Sequence, residues 1–179
     1  AKQFLQTDLV ADIRDVLART GLSGGRLKLE LTESAIMENP ELARGILLQL
    51  RDLGVRLCVD DFGTGYSSLS YLHRFPFHTL KIERSFIARI ADVQSERTLV
   101  KAIIELGHGL GLEVVAEGIE TDEQRRHLLA LNCAIGQGYL FSPAVPAESA
   151  AELLSQVKSG ILLIPKDNSI DRGVTAVTA

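Results

Sequence analysis

The 179 residues are 46% hydrophobic and 23% charged, with 19 basic and 23 acidic side chains and a formal net charge of −4. This is the composition of an ordinary globular domain with a core of its own, not of a disordered chain or a stapled mini-protein. It excludes a Lys/Arg-rich binder of nucleic-acid polymers or anionic membranes, and the length is too short for a complete (β/α)8 barrel, which takes about 250 residues and rarely fewer than about 200.

Short apolar strands alternate with amphipathic helices along the chain. Thr7–Arg19 carries Leu9, Val10, Ile13, Val16 and Leu17 at helical spacing, with Thr7 as N-cap. Gly24-Gly25 leads into a first strand, Leu27–Leu31. Asn39-Pro40 opens a helix, Asn as cap and Pro in the first turn, which runs to about Leu53 and stops at Gly54. The second strand is Arg56–Val59, followed by Asp60-Asp61-Phe62-Gly63-Thr64-Gly65. A short helix over Ser67–Arg74 ends before Pro76, and Thr79–Ile82 is the third strand. A helix from about Ser95 to Leu110 precedes a fourth strand, Glu113–Ala116. Thr121-Asp122-Glu123-Gln124 is a capping box that starts a helix to Leu131. Ile135–Tyr139 is the fifth strand, Pro146–Lys158 the last helix, and the polar end of the chain a poorly ordered tail.

Alternation without hairpin signals means a parallel sheet with helices outside, an α/β architecture. Right-handed crossovers then bring every strand's C-terminal end to one face, where ligands bind in barrels and open sheets alike. That face collects Glu30 and Glu33 from strand one, Asp60 and Asp61 from strand two, Lys81 and Glu83 from strand three, Glu117 and Glu120 from strand four, and Gln137 from strand five.

Any one acid after a strand can equally cap the next helix or meet its dipole. Glu33 and Glu120, each three residues beyond another acid, suit loop anchoring best. Acids from three strands on one face repel unless neutralised. Lys81 supplies one positive charge, and a hard divalent cation held by oxygen ligands supplies the rest. Neighbouring Asp60 and Asp61 point to opposite faces of a regular strand, so both reach one site only if the backbone turns, which Phe62-Gly63-Thr64-Gly65 permits. Two ions sharing a carboxylate clamp the attacking and leaving oxygens of a phosphodiester. The expected chemistry is metal-assisted hydrolysis of a phosphate ester.

Gly63-Thr64-Gly65-Tyr66-Ser67-Ser68, with Glu83 twenty residues on, also resembles a dinucleotide fingerprint. Ser68 in place of the third glycine, the two aspartates beside any pyrophosphate and the short following helix count against it. Other features read blandly. Cys58 and Cys133 form no CxxC pair and pack as small hydrophobes, which suits a reducing, cytoplasmic setting. The four histidines show no HxxxH spacing, and His73 and His78 flank a turn. Arg125-Arg126-His127 reads as a solvated helix face, and Tyr139 as a core or rim tyrosine. The longest apolar run, Ile161–Ile164, cannot span a bilayer.

Five segments together resemble the EAL family of cyclic di-GMP phosphodiesterases. They are Glu30-Leu31-Thr32-Glu33-Ser34, Val59 to Leu69 with its Asp-Asp-Phe-Gly-Thr-Gly-Tyr-Ser-Ser run, Leu80-Lys81-Ile82-Glu83, Val115 to Thr121, and Gln137 to Ser142. The resemblance covers about residues 1–155. It implies hydrolysis of cyclic di-GMP to linear pGpG with Mg²⁺ or Mn²⁺. Glu30 and Asp60 would be ligands of the first metal, Asp60 would bridge to the second, and Asp61 would bind the second. Glu117 would hold a metal or its water, and Lys81 would position or deprotonate the attacking water. Gln137 would lie near substrate, while Glu33 and Glu120 would anchor the Asp60–Ser68 loop, which in the family couples dimer contacts to the metals. A homodimer through that loop, and an upstream sensor or diguanylate cyclase domain, are the partners it implies.

Two departures stand out. The family usually has Asp where this chain has Glu83, and no Glu-Ala-Leu run occurs anywhere. The opening Ala1-Lys2-Gln3-Phe4, without an initiator Met, reads as the start of a fragment. The expectation is a partial (β/α)8 barrel of about five βα units: residues 1–160 as the C-terminal part of an EAL domain and residues 161–179 as tail, with little activity in isolation. The alternative is a degenerate module for cyclic di-GMP binding or dimer regulation. Intact Glu30, Asp60, Asp61, Lys81 and Glu117 weigh against it.

Overall fold

The computed structural model of the chain describes residues 8–63 and 72–150. They form two compact units. One takes in the described residues up to Lys81 together with Gly107–Glu113, and the other Ile82–Leu106 and the described residues from Val114 onward.

In the first unit, α1 (Leu9–Thr20) starts after Asp8, which makes no side-chain cap bond, and stops at Gly21, left-handed at φ 69°. The expected cap, Thr7, lies outside the described residues. A 3-10 turn, Gly24–Arg26, is closed by the Leu27 amide on the Gly24 carbonyl. That bond takes Leu27 out of the expected strand, and β1 is Lys28–Thr32. A five-residue helix, α2 (Glu33–Met37), follows at once, capped by the Thr32 side chain on the Ala35 amide. α3 (Pro40–Asp52) begins as expected, with the Asn39 side chain accepting the Leu42 amide and Pro40 in the first turn. It buries Ala43, Leu47 and Leu50, one stripe at helical spacing. β2 (Arg56–Phe62) runs past the expected Arg56–Val59 and takes in both aspartates. β3 (Thr79–Ile82) matches its expected bounds, its last residue belonging to the second unit. Most of the expected Ser67–Arg74 helix lies outside the described residues.

The strand order here is β1-β2-β3. β1 and β2 are parallel, with Glu30 opposite Cys58 and Thr32 opposite Asp60. Leu57, Cys58 and Val59 are buried in succession, as are all four residues of β3, the pattern of strands covered on both faces. His78 clips β2 to β3 from both ends: its amide donates to the Leu57 carbonyl at 2.9 Å and its Nδ1 accepts the Leu57 amide at 3.1 Å.

In the second unit, α4 (Arg84–Ala88) is a second five-residue helix, capped by Glu83 on the Ser85 amide. α5 (Gln94–Gly109) buries Val100, Ile103 and Ile104, its last turn belonging to the first unit. β4 (Glu113–Ala116) has its expected bounds. α6 (Asp122–Ala130) opens on the expected capping box, with Thr121 accepting the Gln124 amide and the Gln124 side chain accepting the Thr121 amide. β5, parallel to β4, is only Ile135–Gly136 and not Ile135–Tyr139. Beyond Gly136 the backbone bonds Ile119 instead of a strand: Ile119 donates to the Gln137 carbonyl at 3.1 Å and accepts the Leu140 amide at 2.9 Å. Of the expected Pro146–Lys158 helix, the described part is one turn closed by the Ala150 amide on the Pro146 carbonyl. The rest, and the expected tail, lie outside the described residues.

The fold is α/β with parallel strand pairing, as expected for part of a (β/α)8 barrel. Arg125 corrects the expected solvated face. It is buried against Asp122, Nη2 to Oδ1 at 2.6 Å, because a charge off water needs a partner. Burial opposes ionisation of Asp122, but the Arg125 and Arg126 guanidiniums outweigh it and hold the carboxyl below its ordinary pKa. No helix among the described residues is long and apolar enough to cross a membrane.

The His78 clip carries a pH dependence. Burial, aided by the charge of Arg56, lowers the imidazole pKa below its ordinary value. The unfolded chain then binds the proton more readily, so the stability His78 contributes is complete above about pH 6.5 and is lost as pH falls below it. Urea unfolding from pH 7.5 to 5 is expected to show a steeper loss for the native protein than for His78→Asn, whose Oδ1 still accepts but does not titrate. Equal slopes would remove the clip from the account.

Candidate active site

The first unit brings Glu30, Asp60 and Lys81 together. Strand parity explains it. Glu30 lies opposite Cys58, and Asp60 is two residues further along β2 on the same face. Lys81 reaches that face from β3, its ammonium 2.7 Å from Glu30 and 3.2 Å from Asp60. The Lys81 side chain is 8% exposed, against 46% for Glu30 and 22% for Asp60. A buried ammonium thus looks out through two carboxylates toward solvent. Cys58, opposite Glu30 in register, is buried, and burial pushes its thiol up to about 12, which leaves it inert.

Asp61 sits at φ 53°, in the left-handed region that few non-glycine residues enter, and its amide donates to the Asp60 side chain at 3.1 Å. The turn that frees neighbouring aspartates from opposite faces is therefore at Asp61 itself, ahead of the Phe62-Gly63-Thr64-Gly65 segment expected to make it. Asp and Asn tolerate this region because a short polar side chain bonds locally.

Glu33 is 4% exposed on α2. Its Oε2 accepts the Gly63 amide at 3.4 Å, within the Asp60–Ser68 loop, and its Oε1 is buried with no hydrogen-bond partner among the described residues. Loop residues 64–68 lie outside the description. The donor set of this unit is all carboxylate, and one cationic atom already touches Glu30 and Asp60 at once. Such donors fit a hard divalent ion.

The second unit brings Glu117 and Gln137 together, the Gln137 carboxamide donating to Glu117 Oε1 at 2.5 Å. Glu120 pairs with Arg84 at 2.5 Å, and its amide donates to the Gln124 side chain. Arg84 is a residue that sequence reasoning missed. Its aliphatic stem fills the space over Gly118, left-handed at φ 68°, where a Cβ would overlap it. Nothing local to either residue signals that approach. Glu83, the departure from the family pattern, caps α4. Tyr139 is 71% exposed, not a core residue. Cys133 is buried as expected, its thiol pushed up to about 11.

A family profile for the EAL domain matches residues 1–144. The chain belongs to the EAL domain family. The cyclic di-GMP phosphodiesterase NbdA of Pseudomonas aeruginosa is 45% identical over 154 residues, which cover 86% of this chain and 20% of NbdA. The PaMucR phosphodiesterase in complex with c-di-GMP is 44% identical, with a TM-score of 0.80 over 83% of this chain and 60% of that one. Klebsiella pneumoniae BlrP1, in a manganese and cyclic di-GMP complex, is 33% identical, with a TM-score of 0.73 over 79% of this chain and 36% of that one. The chain spans about a fifth of the length of the curated relatives it matches. The EAL neighbours bear out the partial-barrel expectation.

Two glycine substitutions test how the backbone of the EAL second unit is held. A Cβ on Gly138 would overlap the backbone N and O of Ile119, whereas one on Gly45 of α3 meets nothing within 4 Å. Gly138→Ala is expected to cost about 2 kcal/mol or more, since backbone cannot yield as a side chain does. Gly45→Ala is expected to add up to about 1 kcal/mol through helix propensity. Unfolding midpoints in urea read both, and equal midpoints would show the close approach to be relaxed in solution.

Proposed function

We propose that this EAL chain forms part of the active site of a phosphodiesterase that opens cyclic di-GMP to linear pGpG. The observation that carries the reading is the buried Lys81 ammonium held between Glu30 and Asp60. A strand buried at every position has no structural need for a lysine, and desolvating a charge is costly unless it serves a purpose. The named activity of NbdA and the ligands in the PaMucR and BlrP1 complexes support the substrate.

In this reading Glu30, Asp60, Asp61 and Glu117 hold Mg²⁺ or Mn²⁺. The ions, when bound, lower the pKa of water and steady charge on the phosphate oxygens. Lys81, fixed by Glu30 and Asp60, orients the attacking water as the ammonium, or takes its proton once its own has passed to one of those carboxylates. Gln137 lies near substrate, and Glu33 anchors the Asp60–Ser68 loop through Gly63. Glu120, paired with Arg84 among the described residues, shares the loop anchoring with Glu33 in this proposal. Association of two copies through the loop region, an upstream sensor or cyclase domain and a cytoplasmic setting complete the proposal.

In the full-length protein, Lys81→Ala is expected to lower pGpG production by about 100-fold or more, the usual scale for a positioned proton-transfer group. Cyclic di-GMP binding, read by calorimetry, is expected to survive. Turnover at the native rate would exclude the lysine from the chemistry. The 179 residues alone, which contain no Glu-Ala-Leu run, are expected to hydrolyse little cyclic di-GMP in Mn²⁺. Recovery of the full-length rate by the isolated chain would overturn that part of the reading.

A further inference from the structure

We infer that Gln137 is a positioning residue for Glu117, fixing the carboxylate that the proposed function assigns to metal binding. The inference rests on that assignment for its consequence, and on the second unit alone for its geometry.

The backbone of Gln137 is already fully used. Its amide donates to the Ala116 carbonyl at 2.9 Å and its carbonyl accepts the Ile119 amide at 3.1 Å. The side chain is therefore not needed to hold this segment, and it is spent on Glu117 Oε1. Only one orientation of the carboxamide fits, because an ionised carboxylate accepts and does not donate, so the NH₂ must face the acid. The same two backbone bonds bracket Glu117. Ala116 precedes it, Ile119 is two residues beyond it, and its own amide donates to the Ile82 carbonyl at 3.2 Å. Both partners thus start from one backbone frame, in which Gly138 must lack a Cβ to pass Ile119.

A glutamate has three side-chain torsions to fix before it can ligate, and Glu117 is only half-buried. Packing alone leaves such a side chain several rotamers. A donor placed on Oε1 narrows that choice before any ligand arrives. A neutral donor is also the right kind. A lysine or arginine in this place would compete with a cation for the carboxylate, and an acid would repel it. Carboxylates that ligate metals are commonly held by such hydrogen bonds, and losing the partner weakens metal binding about 10- to 100-fold.

The test is Mn²⁺ binding followed by electron paramagnetic resonance in the full-length protein, for the native chain, Gln137→Leu and Glu117→Gln. Glu117→Gln is expected to weaken binding by at least tenfold and Gln137→Leu by about tenfold, while the urea midpoint of Gln137→Leu stays near the native value. A merely structural glutamine would shift the unfolding midpoint and leave the Mn²⁺ affinity alone, and that result overturns the inference. If Glu117→Gln binds Mn²⁺ as the native chain does, the ligand assignment itself fails, and the inference with it. A second measurement needs no change at Gln137. Its side-chain NH₂ resonances in metal-free protein are expected to move in Glu117→Gln, and unchanged resonances would show that the hydrogen bond does not form.

Discussion

The first unit is organised around one buried ammonium. Lys81 stands on β3, where its neighbours Leu80 and Ile82 are fully buried, and it pairs with Glu30 and Asp60. Those acids lie on two different strands, so the ion pairs fix register as well as charge. A one-residue slip of β1 or β2 would carry Glu30 or Asp60 to the opposite face and leave the ammonium short of a partner. The apolar residues of β2 cannot supply that discrimination, because Leu57, Cys58 and Val59 are buried whichever face they take. The charged triad specifies what the hydrophobic run leaves open. His78, bonded to Leu57 through both its amide and its ring, pins the other end of the same strand pair.

The second unit holds its functional side chains by a different device. Glu117 and Gln137 are set by backbone that passes at close range, with Gly138 against Ile119 and Gly118 beneath the stem of Arg84. Charge pairing is peripheral there. The Arg84–Glu120 pair is well exposed and contributes little on its own, since solvent screens both partners. The buried Arg125–Asp122 pair is the exception, and it secures the first turn of α6. Acidic side chains in that turn also meet the favourable end of the helix dipole.

What could be read from the sequence follows how local each signal is. Thr79–Ile82 and Glu113–Ala116 were legible to the residue, because each is a short segment with aliphatic residues between turn signals. The Thr121–Gln124 box was legible because capping is a rule about residues three apart. α2 and α4 were not, since five residues are too few to display a helical period. The shortening of β5 was hidden because its competitor, Ile119, comes from another part of the chain. That the ends of β1 and β2 would bring acids to Lys81 on β3 was legible from topology. Which acids meet Lys81 was not, because that depends on the offset of Glu30 against Cys58, a fact of pairing that neither strand states alone.

The turn at Asp61 shows where local preference and site chemistry meet. A strand continued in regular form through Phe62 would send the Asp61 carboxylate to the face away from Asp60. Its left-handed φ of 53° breaks that alternation, at a steric cost that the bond from its amide to the Asp60 side chain helps to offset and that Asp meets better than most residues. The strained residue is thus one of the two acids, although Gly63, two positions on, has a φ of 100° at no cost to itself. On the proposed reading the charge balance gives this expense a reason. Glu30, Asp60 and Asp61 formally carry three negative charges against the one positive charge of Lys81. The first unit alone thus leaves two negative charges for bound cations to offset, before Glu117 is counted, and an Asp61 left on the far face would take no part in that balance.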